Sequence, residues 1–158
     1  MTPMTLPAPQ LEHLCDLVVT VLPAIDIGLT SAGLRRVIPI TGGVVRGPKM
    51  NGKVLNAGAD FQLVHKGGAE AHLDARYVLE LDDGAHVLVQ NTALRVTSAE
   101  NAQRLLQGQP VNPDEVYFRC QPQLDSAAPQ WAWLSDSQFI GTARRAPEGV
   151  NLSFYRVL

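Results

Sequence analysis

Between Asp60 and Val96 the chain runs through three alternating stretches, Asp60–His65, Glu70–Leu81 and Ala85–Val96, joined by Gly67-Gly68 and Asp83-Gly84. Alternation with a period of two marks a strand whose faces differ, and such glycine-bearing pairs tolerate the positive φ of tight hairpins. The stretch therefore reads as three successive antiparallel strands. Similar segments flank it. Cys15–Leu22, Arg36–Ile40, Val44–Arg46 and Lys53–Asn56 precede it as short strands. Pro23 closes the first, and Pro39 suggests an edge or bulge in the second. Gly42-Gly43 reads as a turn, Asn51-Gly52 as a hairpin, and Ile25–Ala32 as a connection. Glu115–Gln121, Trp131–Leu134, Phe139–Arg144 and Val150–Val157 follow as further strands. One helix interrupts them: Ser98 caps Ala99–Leu106, Glu100 stands in its first turn, and Gly108 and Pro110 end it. Many short strands at regular turn spacing favour a barrel or a sandwich over any βαβ layout.

A chain of 158 residues is one domain's worth, so 1–158 reads as a single β domain with 1–14 as a flexible N-terminal segment. A net charge of −2 and a pI near 6.0 argue against electrostatic binding of nucleic acid. No apolar run approaches the ~20 residues of a membrane span. Met1–Gln10 shows no signal-peptide pattern, which points to the cytoplasm. Cys15 and Cys120 form no CxxC pair and read as buried, inert thiols. His13, His65, His72 and His86 lack metal-ligand spacing. The glycines of Gly42–Gly47 open no helix, and no GxSxG elbow occurs. Neither a metal nor a cofactor is implied.

The informative polar residues lie on the three middle strands. A two-residue Asp83-Gly84 turn sets Arg76 opposite Asn91, so that Asp74, Arg76 and Asn91 share one face. A three-residue Gly67–Ala69 loop then sets Asp60 opposite Arg76 and Gln62 opposite Asp74. A two-residue Gly67-Gly68 loop moves both to the other face, because a one-residue slip inverts every side chain. In the first register Asp60, Gln62, Asp74, Arg76 and Asn91 form one patch. The patch is either solvated surface or the lining of a cavity. Alternation alone favours the first, since Leu73, Ala75, Tyr77, Leu79 and Leu81 make the opposite face, with Leu88, the more apolar one.

Several motifs in order resemble one family. They are Leu34-Arg-Arg-Val-Ile-Pro-Ile-Thr-Gly-Gly43, Arg46-Gly-Pro48, Gly52-Lys-Val-Leu55 and Gly58-Ala-Asp60, then Leu73-Asp-Ala-Arg-Tyr77, Asp83-Gly84, Asn91, Tyr117-Phe-Arg119 and Trp133-Leu134. Over Asp16–Val157 the chain is similar to the family catalogued as domain of unknown function 3237. The resemblance implies a closed antiparallel β-barrel of calycin or lipocalin-like type and association into homo-oligomers. It maps recurring polar positions onto Asp60, Gln62, Asp74, Arg76, Asn91 and Arg119, which tilts the balance towards a lined cavity. Phe61, Ala93 and Ser135 depart from the family's usual tryptophan, glycine and asparagine.

Two functions follow as expectations. One is a cofactor-independent lyase or isomerase acting on a small, aromatic or polyketide-like organic acid or ketone by proton transfer: isomerisation, dehydration, decarboxylation or cyclisation. Arg76 would hold a carboxylate or enolate oxygen, and Asp60 or Asp74 would be the acid or base. Gln62, Asn91, Arg119, Tyr117 and Trp133 would bind the substrate. The other is a carrier for a hydrophobic small molecule, and a third reading makes the patch a brace between strands. A spare carboxylate oxygen facing a closed pocket would favour the enzyme. A fully satisfied network would favour the brace or carrier. Arg35-Arg36 and Arg144-Arg145 read as solvated strand ends, and Trp131 and Trp133, with Phe139, as core or rim.

Overall fold

The computed structural model describes all 158 residues. Ten strands and one α-helix follow in order: β1 (Leu11–Val21), β2 (Ile25–Thr30), β3 (Gly33–Arg46), β4 (Gly52–Val54), β5 (Gly58–His65), β6 (Glu70–Leu81), β7 (His86–Val96), α1 (Ala99–Leu106), β8 (Tyr117–Asp125), β9 (Gln138–Ala146) and β10 (Gly149–Val157). Eight of them close a circuit of antiparallel pairs, β1-β3-β5-β6-β7-β8-β9-β10, with β10 returning to β1. Closure removes the exposed edges that an open sheet of this size would carry. The additional strands β2 and β4 pair with β3.

The circuit explains where the sequence expectations fail locally. Ile25–Thr30 is a strand, since its backbone pairs with β3 although Ile25 and Leu29 face solvent. Gly42-Gly43 does not turn the chain: β3 runs through it, pairing with β5 over Leu34–Ile40 and with β1 over Ile40–Arg46. β1 starts at Leu11, and Leu14 is fully buried, so the ordered barrel begins inside the segment expected to be flexible. Trp131–Leu134 is no strand. It lies in a 3-10 stretch, Pro129–Asp136, that drops Leu134 into the core. The Trp131 indole nitrogen donates to Asp83 Oδ2 at 2.8 Å, which pins this stretch to the β6–β7 turn.

The β6–β7 hairpin differs by one residue from the register expected, and the β5–β6 hairpin takes the second of the two registers left open. The β6–β7 loop is Asp82-Asp83-Gly84: Gly84 N–H donates to Leu81 at 2.9 Å, and Gly84 has φ +87°. A three-residue loop of this kind places the positive φ on its last residue, which only glycine adopts without strain. Asp83 Oδ1 accepts from Ala85 N at 2.9 Å and stabilises the same turn. Arg76 therefore stands opposite Gln90, and Ala75 opposite Asn91. Between β5 and β6, His65 pairs with Glu70 across a four-residue loop, which has the parity of the two-residue alternative and sets Asp60 opposite Ala75.

Candidate functional site

These two registers sort the five patch residues onto opposite faces. Asp60, Gln62 and Asn91 point into the barrel and are buried (9%, 4% and 4% exposed). Asp74 and Arg76 point outwards, where they form a partly exposed ion pair at 3.6 Å. The apolar face of β6 is the inner one, as alternation alone suggested, yet the polar residues of β5 and β7 share that interior. The single patch expected from the sequence is thus divided by the barrel wall. Tyr117 and Arg119 lie on the outside of β8, the guanidinium 5.4 Å from the Tyr117 ring. Trp133 sits in the 3-10 stretch beneath Arg156, 4.8 Å from its guanidinium. None of these three lines the cavity.

That cavity measures about 360 Å³, the lower end of the range for small-molecule sites. Its polar wall is built in rows. Asp60, Ala75 and Asn91 are neighbours across β5, β6 and β7, and Gln62, Leu73 and Ala93 form the next row. Ala75 and Ala93 leave open the volume that larger side chains would fill. The rest of the wall is apolar, with Ile38 and Ile40 on β3 beside the Asp60 row and Val19 and Leu152 on β1 and β10 across the barrel. The far end, at the β6–β7 turn, is filled by Leu81, Ala85, Leu124 and Leu134. The mouth opens between the β1–β2 connection and the β9–β10 turn, where Arg36, Arg95 and Arg145 converge.

Asp60 is the most perturbed carboxylate. Burial pushes its carboxyl up to about 6, against a hydrogen bond from Gln62 and the field of Arg95, which favour the charged form. Oδ2 accepts from Gln62 Nε2 at 3.0 Å, while Oδ1 is buried without a hydrogen-bond partner. Gln62 Oε1, Asn91 Oδ1 and the Tyr77 hydroxyl are likewise unpartnered. Four buried polar groups with spare capacity around one cavity are unusual, because such atoms ordinarily find partners. Cys120 and Cys15 are free and buried, their thiols raised by burial to about 11 and about 12. No group of three or more His, Cys, Asp or Glu side chains converges on a metal-sized site.

Sequence reasoning missed Arg95, Tyr77, Arg36 and Arg145. A signal for Arg95 was present: once Asn91 is assigned to the interior, the same period of two carries Ala93 and Arg95 with it. Arg145 is an exposed residue near the end of β9, as expected, but Arg36 lies inside β3 and is largely buried, and both stand where the cavity opens.

Fold and site together define a closed antiparallel barrel enclosing a part-polar cavity. The sequence profile of the protein of unknown function (DUF3237) family matches residues 9–157, and the chain belongs to that family. A UPF0311 protein from Rhodopseudomonas palustris (strain TIE-1) is 41% identical over 131 residues, 83% of this chain and 85% of that one. The crystal structure of a beta-barrel like protein from Acinetobacter baumannii AYE matches with a TM-score of 0.85 at 39% identity, over 99% of this chain and 100% of that one. An enzyme from Penicillium herquei shares the fold at a TM-score of 0.74 with 21% identity, over 99% and 100% of the two chains. The one α-helix has eight residues, and no helix is long and apolar enough to cross a membrane.

Proposed function

We propose that the barrel binds a small organic molecule and catalyses proton transfer on it without a cofactor, with Asp60 as the acid–base group. The observation that carries this reading is the free Oδ1 of a buried carboxylate raised to about 6, facing the cavity. A carboxylate poised near neutrality takes a proton from a carbon acid and returns it more readily than one at its ordinary value. Gln62 holds Oδ2 and orients the carboxyl, while the unpartnered Tyr77 hydroxyl offers a hydrogen bond to the oxygen that gains charge and Asn91 Oδ1 is free to accept one from a ligand donor. Isomerisation, dehydration and cyclisation begin with such a step, and decarboxylation ends with its reverse, when the carbanion left by loss of CO2 takes up a proton. The Penicillium herquei protein adds a fold-level analogy that this scaffold accommodates catalysis.

The test needs no knowledge of the natural substrate. Incubation in D2O with enolisable aryl ketones and α- and β-keto acids, read by NMR, reports C–H to C–D exchange. Wild-type protein is expected to accelerate exchange in at least one compound, and Asp60→Asn to slow it by about 10²–10⁴-fold. Since the base must be unprotonated, the rate rises with pH through about 6. Equal exchange by wild type and Asp60→Asn, or none above buffer, would remove the catalytic reading.

A carrier remains the second reading, favoured by the 14 hydrophobic residues among the 24 that line the cavity. It predicts ligand binding without exchange. The proposal includes self-association, now motivated by β2, where Ile25, Ile27 and Leu29 are exposed on a strand with one free edge. Light scattering after gel filtration is expected to give a mass above the 17.1 kDa of one chain, and a monomer at micromolar concentration would oppose it.

A further inference from the structure

Arg95 is 6% exposed, its Nε is buried without a partner, and its guanidinium joins no ion pair or hydrogen bond. Its nearest aromatic neighbour, Phe118, has its ring centre 6.0 Å away, at the limit of a cation–π contact. Burial and the repulsion of Arg145 push its pKa down to about 10, with Asp60 opposing and Arg36 adding to the repulsion. It therefore stays charged at neutral pH. A buried cation without a counter-charge is among the least favourable arrangements a protein keeps. Of the neighbouring charges, Arg36 is committed to Asp26 at 2.9 Å, and Arg145 forms no ion pair. Glu148 lines the same mouth from the exposed β9–β10 turn without pairing with either. Arg95, Phe118 and Arg145 also border a second cavity, about 410 Å³, between the barrel mouth and the segment after α1.

We propose that the ligand is an organic anion, whose negative group sits between Arg95 and Arg145 where the two cavities meet and whose apolar body reaches down the barrel to Asp60. This rests on the cavity reading above and narrows its substrate class from acids and ketones to anions. A guanidinium suits a carboxylate or sulfonate because it offers two parallel N–H donors and keeps its charge. The anion supplies the direct ion-pair partner that Asp60, two rows away, does not. It also fixes the distance from the charged end to the group that faces Asp60.

Two dyes of nearly the same aromatic body separate charge from shape: 8-anilinonaphthalene-1-sulfonate is an anion and N-phenyl-1-naphthylamine is neutral. Fluorescence titration is expected to show the anion binding at least about tenfold more tightly to wild type, a difference of about 1.4 kcal/mol. Arg95→Met is expected to abolish that preference while leaving the neutral dye bound, and Arg95→Lys to restore part of it. Without ligand, Arg95→Met is expected to raise Tm by about 3 °C or more, since it removes a buried charge. A structural arginine would instead lower Tm, and that result, or failure of Arg95→Met to fold, overturns the proposal. If both dyes bind wild type equally, the anion assignment falls while the cavity reading stands. If neither binds, both fall. Binding indifferent to Ala75→Leu, which fills the wall between Asp60 and Asn91, would lie outside the cavity and also overturns it.

Discussion

Asp60→Asn is expected to stabilise the ligand-free protein by about 3 kcal/mol at pH 7, and to change nothing below about pH 3.5. The folded carboxyl is raised from its ordinary 3.8 to about 6, chiefly by burial, against the opposing pull of Gln62 and Arg95. Between those two values the unfolded chain has lost its proton while the folded chain keeps it. Stability therefore falls as pH rises through that window, and the full penalty is present above about 6. At about 1.4 kcal/mol per pH unit the penalty comes to about 3 kcal/mol, or about 9 °C in Tm for a chain of this size. The amide carries no such penalty, and Gln62 can present its free Oε1 to it. Denaturant midpoints at pH 3.5, 5 and 7 should show the gain of Asp60→Asn growing from nothing to its full value. A loss of stability at every pH would instead make Asp60 a structural member of the wall.

That expectation distinguishes a site from a scaffold. Mutations at positions chosen for packing lower stability, whereas groups held for chemistry are kept in spite of their cost. Asp60 and Arg95 fit the second description together. Each is buried, each is charged at neutral pH, and the two feel each other's field without forming an ion pair. Opposite charges this close usually meet if the scaffold lets them. Here they are held on separate strands, with Asp60 in one row of the barrel and Arg95 two rows nearer the mouth. A ligand that touches both would complete a circuit that the protein leaves open.

The helix and most strand positions were legible in the sequence, because alternation and turn residues are local signals; those signals left barrel and sandwich open, and closure was implied by the family resemblance. The helix is a clear case: Ser98 accepts from Asn101 N, and Ala99–Leu106 has the bounds its cap and terminator imply. What was not legible was parity. Whether Asp83-Gly84 is a two-residue turn or the end of a three-residue loop depends on Asp83, which bonds Ala85 in its own turn and Trp131 in a distant segment. That single residue decides whether Asn91 lies opposite Arg76 or Ala75, and hence which charges enter the cavity. Trp131 and Trp133 misled for a related reason. Their spacing of two fits a strand, but Pro129 at the start of the segment and the docking of Leu134 favour a 3-10 stretch. Polar side chains on the correct strands were found; the face they occupy was set by contacts beyond the reach of local pattern.

Gly43→Ala is expected to be among the most damaging small substitutions in the barrel, costing about 4 kcal/mol or more, much of the stability of an ordinary domain. The glycine pair at Gly42-Gly43 looks like a turn, but its role is closure. Gly43 lies on β3 between Val19 of β1 and Val54 of β4, at the stretch where β3 has left β5 and taken β1 as its partner. Its φ is +149°, and an added Cβ would lie 2.1 Å from the Val18 carbonyl oxygen and 3.1 Å from a Val54 methyl. The oxygen belongs to backbone that is hydrogen-bonded on both sides, so it cannot rotate away as a side chain would. Relief requires β1 to separate from β3, which opens the barrel beside Val19 and Val21 of the cavity wall. Gly84→Ala is the control: its φ is also positive, at +87°, but nothing lies within 4 Å of the added carbon. Only the backbone penalty of about 1–2 kcal/mol applies there. Equilibrium denaturation should therefore separate the two variants by about 2 kcal/mol or more. Hydrogen exchange should show β1 amides losing protection in Gly43→Ala alone. Equal losses in the two variants would mean that the seam tolerates a methyl group, and that positive φ by itself accounts for the glycine.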